Sequence, residues 1–417
     1  MVGFRLAAGA AYLQTRRRRF GSRDELAAWQ QRKLRAALRR ARQRFPYYAS
    51  VASDDLGSFP VLDKAGFLDH FDGLNDRGLR LEECLAAART AESERRFDTT
   101  LSGVSVGLSS GTSGRQGAFL TSPAERARWA GTMLAKALPG GLRGGQRVAL
   151  VLRAGGPLYA AVDGPVAFRF LDLYAPLEQQ VADIEAFSPT VLAAPPGLLA
   201  LVVGRLRTRP GLVYSIADVL DPDVEQRVTE GFGVRVGQIY QATEGFLGIT
   251  CGHGRLHLNE DLAVIETEQV GPGRFVPVVT DLYRRTQAVV RYRLSDVLVD
   301  GDGPCDCGSP LRVIDRIEGR HDDVLQLRRT DGTTAPVFAD LVRGAVLGVD
   351  GVRDFTATQD APDRIVVTVD PTDLWHAAAS ALGTALQAHG LVVPTMVAAT
   401  YAPPDPTAKR RRVSRSC

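Results

Sequence analysis

The sequence predicts an α/β protein whose large N-terminal part is followed by a small α+β domain. Three observations carry this. Helical and strand patterns alternate between residues 124 and 240, as parallel strands covered by helices require. From residue 249 to 311 the pattern changes to short β segments separated by Gly and Pro, which predicts a mainly antiparallel, barrel-like subdomain. Beyond Gly319-Arg320 the chain carries a pattern of its own, long enough for a separate domain of about one hundred residues.

The elements follow in order. Residues 24–41 place Leu26, Trp29, Leu34, Ala37, Leu38 and Ala41 on one helical stripe, with arginines opposite, a face that solvation alone explains. A strand over 104–108 runs into a Ser/Thr/Gly-rich loop. The tetrapeptide Ser122-Pro123-Ala124-Glu125 then reads as a capping box with proline at the first helical position, opening a helix over 124–137. Strands are expected over 147–152, 190–194 and 234–240, then over 276–282 and 289–294. The last part predicts a strand over 364–369, a helix over 373–389 stopped by Gly390, a strand over 391–401 and an arginine-rich tail.

Composition bounds the function without naming it. The chain has 417 residues, 45% hydrophobic and 24% charged, which is ordinary for a globular protein and unlike a disordered or collagenous chain. A formal net charge of +4 argues against a dedicated nucleic-acid binder. Of the 51 basic residues only Lys33, Lys64, Lys136 and Lys409 are lysines, so charge needed for solubility is supplied as arginine and each lysine is informative. Five cysteines are too few for a disulfide scaffold and predict a reducing compartment. The arginines at 16–19 follow the N-terminal apolar stretch, opposite to a signal peptide, and no run of about 18 apolar residues occurs, so a cytoplasmic protein without a membrane span is expected.

Two sets of residues carry chemistry. The loop Ser109-Ser110-Gly111-Thr112-Ser113-Gly114-Arg115-Gln116-Gly117, set between strand and helix, offers converging N–H groups and hydroxyls to phosphate oxygens, although it lacks the Gly-Lys-Ser/Thr ending of a Walker loop. It is followed in order by Tyr240-Gln241-Ala242-Thr243-Glu244-Gly245, Arg291-Tyr292-Arg293-Leu294-Ser295-Asp296, Gly319-Arg320-His321-Asp322-Asp323 and Lys409. The second set is Cys251, His253, His257, Cys305 and Cys307, from which Cys251, His257, Cys305 and Cys307 make a closed tetrahedral zinc site feasible, with His253 spare and Cys84 and Cys417 bystanders.

With these motifs in this order, the chain resembles the adenylate-forming (ANL) superfamily, in its phenylacetate–CoA ligase and coenzyme F390 synthetase-like branch, over nearly its whole length. The resemblance implies an ANL-type large domain, residues 1–318, with the zinc-bearing β region at about 246–312, and a small mobile domain, residues 319–417. It implies that Ser109, Ser110, Gly111, Thr112, Ser113, Gly114 and Arg115 hold the β- and γ-phosphates of ATP, with arginine at 115 where many members have lysine. Tyr240 would pack on adenine, Thr243 would lie near the α-phosphate, and Glu244 would hold Mg²⁺. Asp296 would accept hydrogen bonds from the ribose hydroxyls, and Arg320 would reach the nucleotide. Asp322, or Asp323, would be the hinge, and Lys409, without the usual preceding glycine, the catalytic lysine. Some members hold structural zinc at a comparable place.

The implied reaction activates a carboxylic acid as an acyl-adenylate with release of pyrophosphate, then passes the acyl group to CoA, a carrier thiol or an amine. Transfer of AMP to a cofactor hydroxyl, as in F390 synthetase, and a non-catalytic nucleotide-binding homologue are the alternatives. An aromatic or short apolar acid is expected from the segments around Tyr214, Gly237 to Tyr240 and Phe246 to Ile249, taken as pocket walls. No nucleic-acid or membrane partner is expected, and a homodimer is left open.

Overall fold

A computed structural model describes residues 2–96, 100–108, 116–142, 145–153, 166–405 and 410–417. The chain forms two compact units. The first comprises Met1–Glu268, Pro277–Leu294 and Asp300–Asp315, and the second Gln269–Val276, Ser295–Val299 and Arg316–Cys417.

The first unit is built on a sheet in which the strands Ala167–Asp172, Arg147–Leu152, Val191–Ala194, Leu212–Ile216 and Val236–Ala242 lie side by side and parallel. Because successive strand residues point to opposite faces, Leu192, Ala194 and Val213 pack under the helices Leu177–Phe187, Pro196–Val202 and Pro222–Phe232, while Val191, Ala193, Tyr214 and Ile216 meet the helix Pro123–Ala137 on the other side. The capping box is formed: Ser122 and Glu125 bond each other's backbone N–H groups.

The strands Gly245–Thr250 and Leu256–Leu258 run antiparallel, as the sequence predicts for this stretch, and continue the same sheet. The strand expected over 289–294 is reduced to Tyr292–Arg293. Arg291 has φ +47°, a left-handed backbone that interrupts a ladder, and its guanidinium is held by both oxygens of Glu266 at 2.8 and 3.0 Å. The N-terminal residues, read only as an unsuitable signal sequence, form the helix Val2–Arg17 against the helix Pro123–Ala137. They approach so closely that a Cβ on Gly131 would lie 2.1 Å from the Ala8 carbonyl oxygen. The helix predicted over 24–41 spans Arg23–Arg44.

The second unit has its own core. Its sheet runs in the order Thr395–Ala398, Arg364–Asp370, Asp354–Ala361 and Val413–Arg415, packed against the helices Ala339–Leu347 and Trp375–Ala388. The helix expected over 373–389 begins instead at Trp375, after the 3-10 turn Thr372–Leu374. Of the strand expected over 391–401 only Thr395–Ala398 forms. The arginine-rich end, expected as a tail, contributes the strand Val413–Arg415, parallel to Asp354–Ala361.

Candidate functional site

Thr243 and Glu244 form the turn between the strands Val236–Ala242 and Gly245–Thr250, whose last pair is Ala242 with Gly245. The register shifts between Tyr240 and Gln241, a bulge that re-aims the strand just before the turn. Tyr240 is buried, and Thr243 and Glu244 are half-buried.

The turn is anchored by residues that the sequence analysis missed. Arg284 donates from Nη2 to the Thr243 carbonyl oxygen. Arg284 is itself placed by Asp281, whose Oδ1 accepts the N–H groups of Tyr283 at 2.6 Å and Arg284 at 2.7 Å. Burial pushes the Asp281 carboxyl above its ordinary range, against the pull of Arg284 and these two N–H groups. The only sequence signal was an aspartate two residues before Tyr283, an Asx-turn pattern that is common in loops.

In the second unit, Asp296 begins the strand Asp296–Asp300 and is half-buried, and Arg320 ends the strand Val313–Arg320 behind Gly319. The 3-10 turn His321–Asp323 leaves Asp322 exposed and buries Asp323, whose Oδ2 accepts from Arg411 Nε at 3.0 Å. The loop residues Ser109, Ser110, Gly111, Thr112, Ser113, Gly114 and Arg115, and Lys409, lie outside the described residues. What flanks them is described. The hairpin carrying the loop closes on the pair Leu108 and Ala118. Both sides of the segment that contains Lys409 are pinned to Asp354, which accepts from Tyr401 Oη at 2.7 Å and Arg412 Nε at 3.1 Å and pairs with Arg410.

Asp354 gives this clamp a pH dependence. Burial raises its carboxyl, but the Tyr401 hydroxyl, Arg410 and Arg412 outweigh burial and hold it below its ordinary range. A carboxylate with a depressed folded pKa contributes stability that is present above its unfolded value of about 4 and is lost as pH falls through the folded value. Asp354→Asn is therefore expected to lower Tm at pH 7, with the gap to wild type shrinking in thermal scans taken to acid pH. A gap unchanged by acid would contradict the clamp.

The cysteine and histidine set converges. Among the described residues, the ligand atoms of Cys251, His257, Cys305 and Cys307 all lie within 4.8 Å of one another. Cys251 follows the strand Gly245–Thr250, and the tight return closed by Cys251 N–H to the Arg255 carbonyl at 2.8 Å brings back His257. Cys305 and Cys307 come from the loop after Asp296–Asp300. His257 Nδ1 donates to the Leu311 carbonyl at 3.0 Å, leaving Nε2 to face Cys307 Sγ at 3.5 Å. Burial lowers the His257 pKa, which favours the neutral ligand form. His253 is not in the cluster, and its carbonyl accepts from Arg235 at 2.7 Å.

The expected acid pocket needs correction. The Tyr214 ring fills the space above Gly237, where a Cβ would lie 2.7 Å from Tyr214 Cε1, and Tyr214 Oη donates to the Ala137 carbonyl at 2.8 Å. Tyr214, Phe246 and Ile249 are packed with Met133 and Leu134 as core, so these apolar side chains were read as pocket walls when they are helix-to-sheet packing.

No known family description matches the sequence, and no curated protein is significantly similar to it. Solved structures are similar in fold. A 2-hydroxyisobutyryl-CoA ligase, in a postadenylation state with an acyl-AMP, superposes with a TM-score of 0.68 at 16% identity, over 92% of this chain and 88% of that one. The anthranilate CoA ligase AuaEII with anthranoyl-AMP gives 0.52 at 15% identity, over 73% and 66%. The amide bond synthetase McbA from Marinactinospora thermotolerans gives 0.54 at 15% identity, over 75% and 69%. The chain has the fold of adenylate-forming (ANL) ligases.

Proposed function

We propose that the protein is an ATP- and Mg²⁺-dependent ligase that activates a carboxylic acid as an acyl-adenylate and transfers the acyl group to CoA, a carrier thiol or an amine. The observation that carries this is the Tyr240–Gly245 turn, set at the end of a parallel strand in an adenylate-forming fold and braced at Thr243 by Arg284. The chemistry follows from the side chains. An acid is already ionised at neutral pH, so its oxygen attacks the α-phosphorus without a general base, and the O–P bond to pyrophosphate breaks. Thr243 would orient the α-phosphate and Tyr240 would support the adenine. Glu244 would hold the magnesium, which supplies charge neutralisation on the phosphates. Asp296 would fix the ribose, Arg320 would bind the nucleotide, the 109–115 loop would hold the β- and γ-phosphates, and Lys409 would stabilise charge during transfer. Asp322, at the turn after Arg320, would be the hinge between a large domain over 1–318 and a small one over 319–417. An aromatic or short acid is in keeping with the anthranoyl-AMP and 2-hydroxyisobutyryl-CoA ligases that share the fold.

The four-residue Cys/His cluster would hold a structural zinc. With Zn–S of about 2.3 Å and Zn–N of about 2.0 Å, a tetrahedral site separates two sulfurs by about 3.8 Å and sulfur from nitrogen by about 3.5 Å. The observed separations are 3.7 Å between Cys251 and Cys305 and 3.5 Å between Cys307 and His257. Four protein donors leave no open position, so the metal would tie the return at Cys251 to the Cys305–Cys307 loop and take no part in the reaction. Free thiols in this set fit a reducing cytoplasm. Among the described residues, no helix is long and apolar enough to cross a membrane.

Product identity tests the reaction. Mass spectrometry of a mixture with ATP, Mg²⁺ and a panel of acids is expected to find the acyl-adenylate before acceptor is added. AMP attached to a cofactor hydroxyl, with no acyl-adenylate, would overturn the reading.

A further inference from the structure

One group of cations in the first unit takes no part in the proposed reaction. Arg128 from the helix Pro123–Ala137 and Arg18 from just beyond the helix Val2–Arg17 face Tyr283, Arg40 from the helix Arg23–Arg44 reaches the adjacent Leu282, and Arg285 lies close enough to act on the charges of Arg40 and Arg128. The Arg128 guanidinium lies 4.5 Å and that of Arg18 5.9 Å from the Tyr283 ring centre. Arg18 is balanced by Asp261 at 3.4 Å, but Asp261 also serves Lys136 at 2.8 Å. Among the described residues, Arg40, Arg128 and Arg285 have no carboxylate within ion-pair distance. Among the described residues, Arg40 donates to the Leu282 carbonyl and Arg128 to Gln14.

The carboxylates nearby are already used. Asp281 accepts the Tyr283 and Arg284 N–H groups, and Glu125 accepts N–H groups from Ser122, Arg285 and Thr286. Burial, together with Arg285 and neighbouring guanidiniums, lowers the pKa values of Arg40 and Arg128. Like charges brought together and partly withdrawn from water are unfavourable unless an anion joins them, and guanidinium forks match phosphate oxygens.

We propose that Arg40, Arg128 and Arg285, with Tyr283 as the floor, form a binding site for a small phosphorylated anion, distinct from the loop that would hold the ATP phosphates. The distinction is topological. Arg285 bonds to the Glu125 end of the hairpin-to-helix connection, whereas the 109–115 loop leaves the hairpin at Leu108 and Ala118, the far end of a four-residue strand. At about 3.4 Å per residue the two ends of that strand, where these connections begin, lie roughly 10 Å apart. The phosphate could be carried by a nucleotide-bearing acceptor or be free inorganic pyrophosphate.

The test is calorimetric titration of the full chain at low ionic strength, with the nucleotide site filled by a non-hydrolysable ATP analogue. Inorganic pyrophosphate is one titrant and adenosine 3′,5′-bisphosphate the other. Binding of at least one is expected, weakened by added salt and about tenfold weaker in Arg285→Gln and Arg128→Gln, the loss of one charged contact. Arg285→Lys is expected to recover part of it. Arg32→Gln, at an exposed arginine of the helix Arg23–Arg44, should leave it unchanged. Tighter bisphosphate would identify the nucleotide source, and tighter pyrophosphate the inorganic one. Arg285 is exposed, so its variants should fold. No binding by wild type, or equal binding by Arg285→Gln and Arg128→Gln, overturns the site. The readout does not depend on turnover, so its failure leaves the adenylation reading untouched.

Discussion

Replacing Lys409 with alanine is expected to lower acid-dependent ATP–pyrophosphate exchange by about 10²–10³-fold, the scale for losing a donor aimed at developing transition-state charge. Nucleotide binding should persist, because the adenine, ribose and phosphate contacts proposed above come from other residues. The expectation rests on two observations. Lysine is so scarce in this chain that one retained beside three arginines is informative. The chain on either side of it is also anchored: Tyr401 and Arg410 both bind Asp354, Arg411 binds Asp323, and Val413–Arg415 joins the sheet. The described residues on both sides of Lys409 are thus held in place. Arginine in its place keeps the charge but spreads it over a planar fork, so Lys409→Arg should recover only part of the rate. Exchange kinetics with calorimetric nucleotide binding separate the two effects, and an unchanged exchange rate would remove Lys409 from the reaction.

Loss of the metal is expected to have the second largest effect. Cys305→Ala should release zinc and lower Tm by roughly 5–10 °C, since metal held by a closed ligand set stabilises the folded state directly. The strand Leu256–Leu258 meets Val313–Arg320 at Leu256 with Ile314 and His257 with Val313, and a metal would add a tie between His257 and the Cys305–Cys307 loop. Metal analysis of the purified protein should find about one zinc per chain, with a strong chelator reproducing the fall in Tm. A metal-free protein with the Tm of wild type would leave the four side chains as buried thiols and an imidazole.

Much of the architecture was legible because local signals agreed with burial. The Ser122–Glu125 box starts its helix where expected, and the strand Arg147–Leu152 has the expected ends, since apolar runs bounded by turns leave few alternatives. The Cys/His set was legible because few residue types bind zinc and all four lay on two short returns. The supports of the site were not. Arg284 reaches Thr243 across about forty residues of sequence, and Asp354 joins Tyr401 to Arg412, so no short-range pattern marks either pair. The same limit hid the role of Tyr214: an apolar residue on a strand looks the same whether it lines a pocket or fills the space above a glycine. Arg291 cut short the start of a predicted strand by adopting a left-handed backbone that its Glu266 partner helps hold, a contact periodicity cannot register.

The most direct test of the central claim is ATP–pyrophosphate exchange against aryl, short-chain and amino carboxylic acids, with and without Mg²⁺. Exchange that needs both Mg²⁺ and one class of acid is the predicted result, and the responding acid would name the substrate class. Absence of exchange with every acid, in protein shown to bind ATP, would contradict carboxylate activation by this chain.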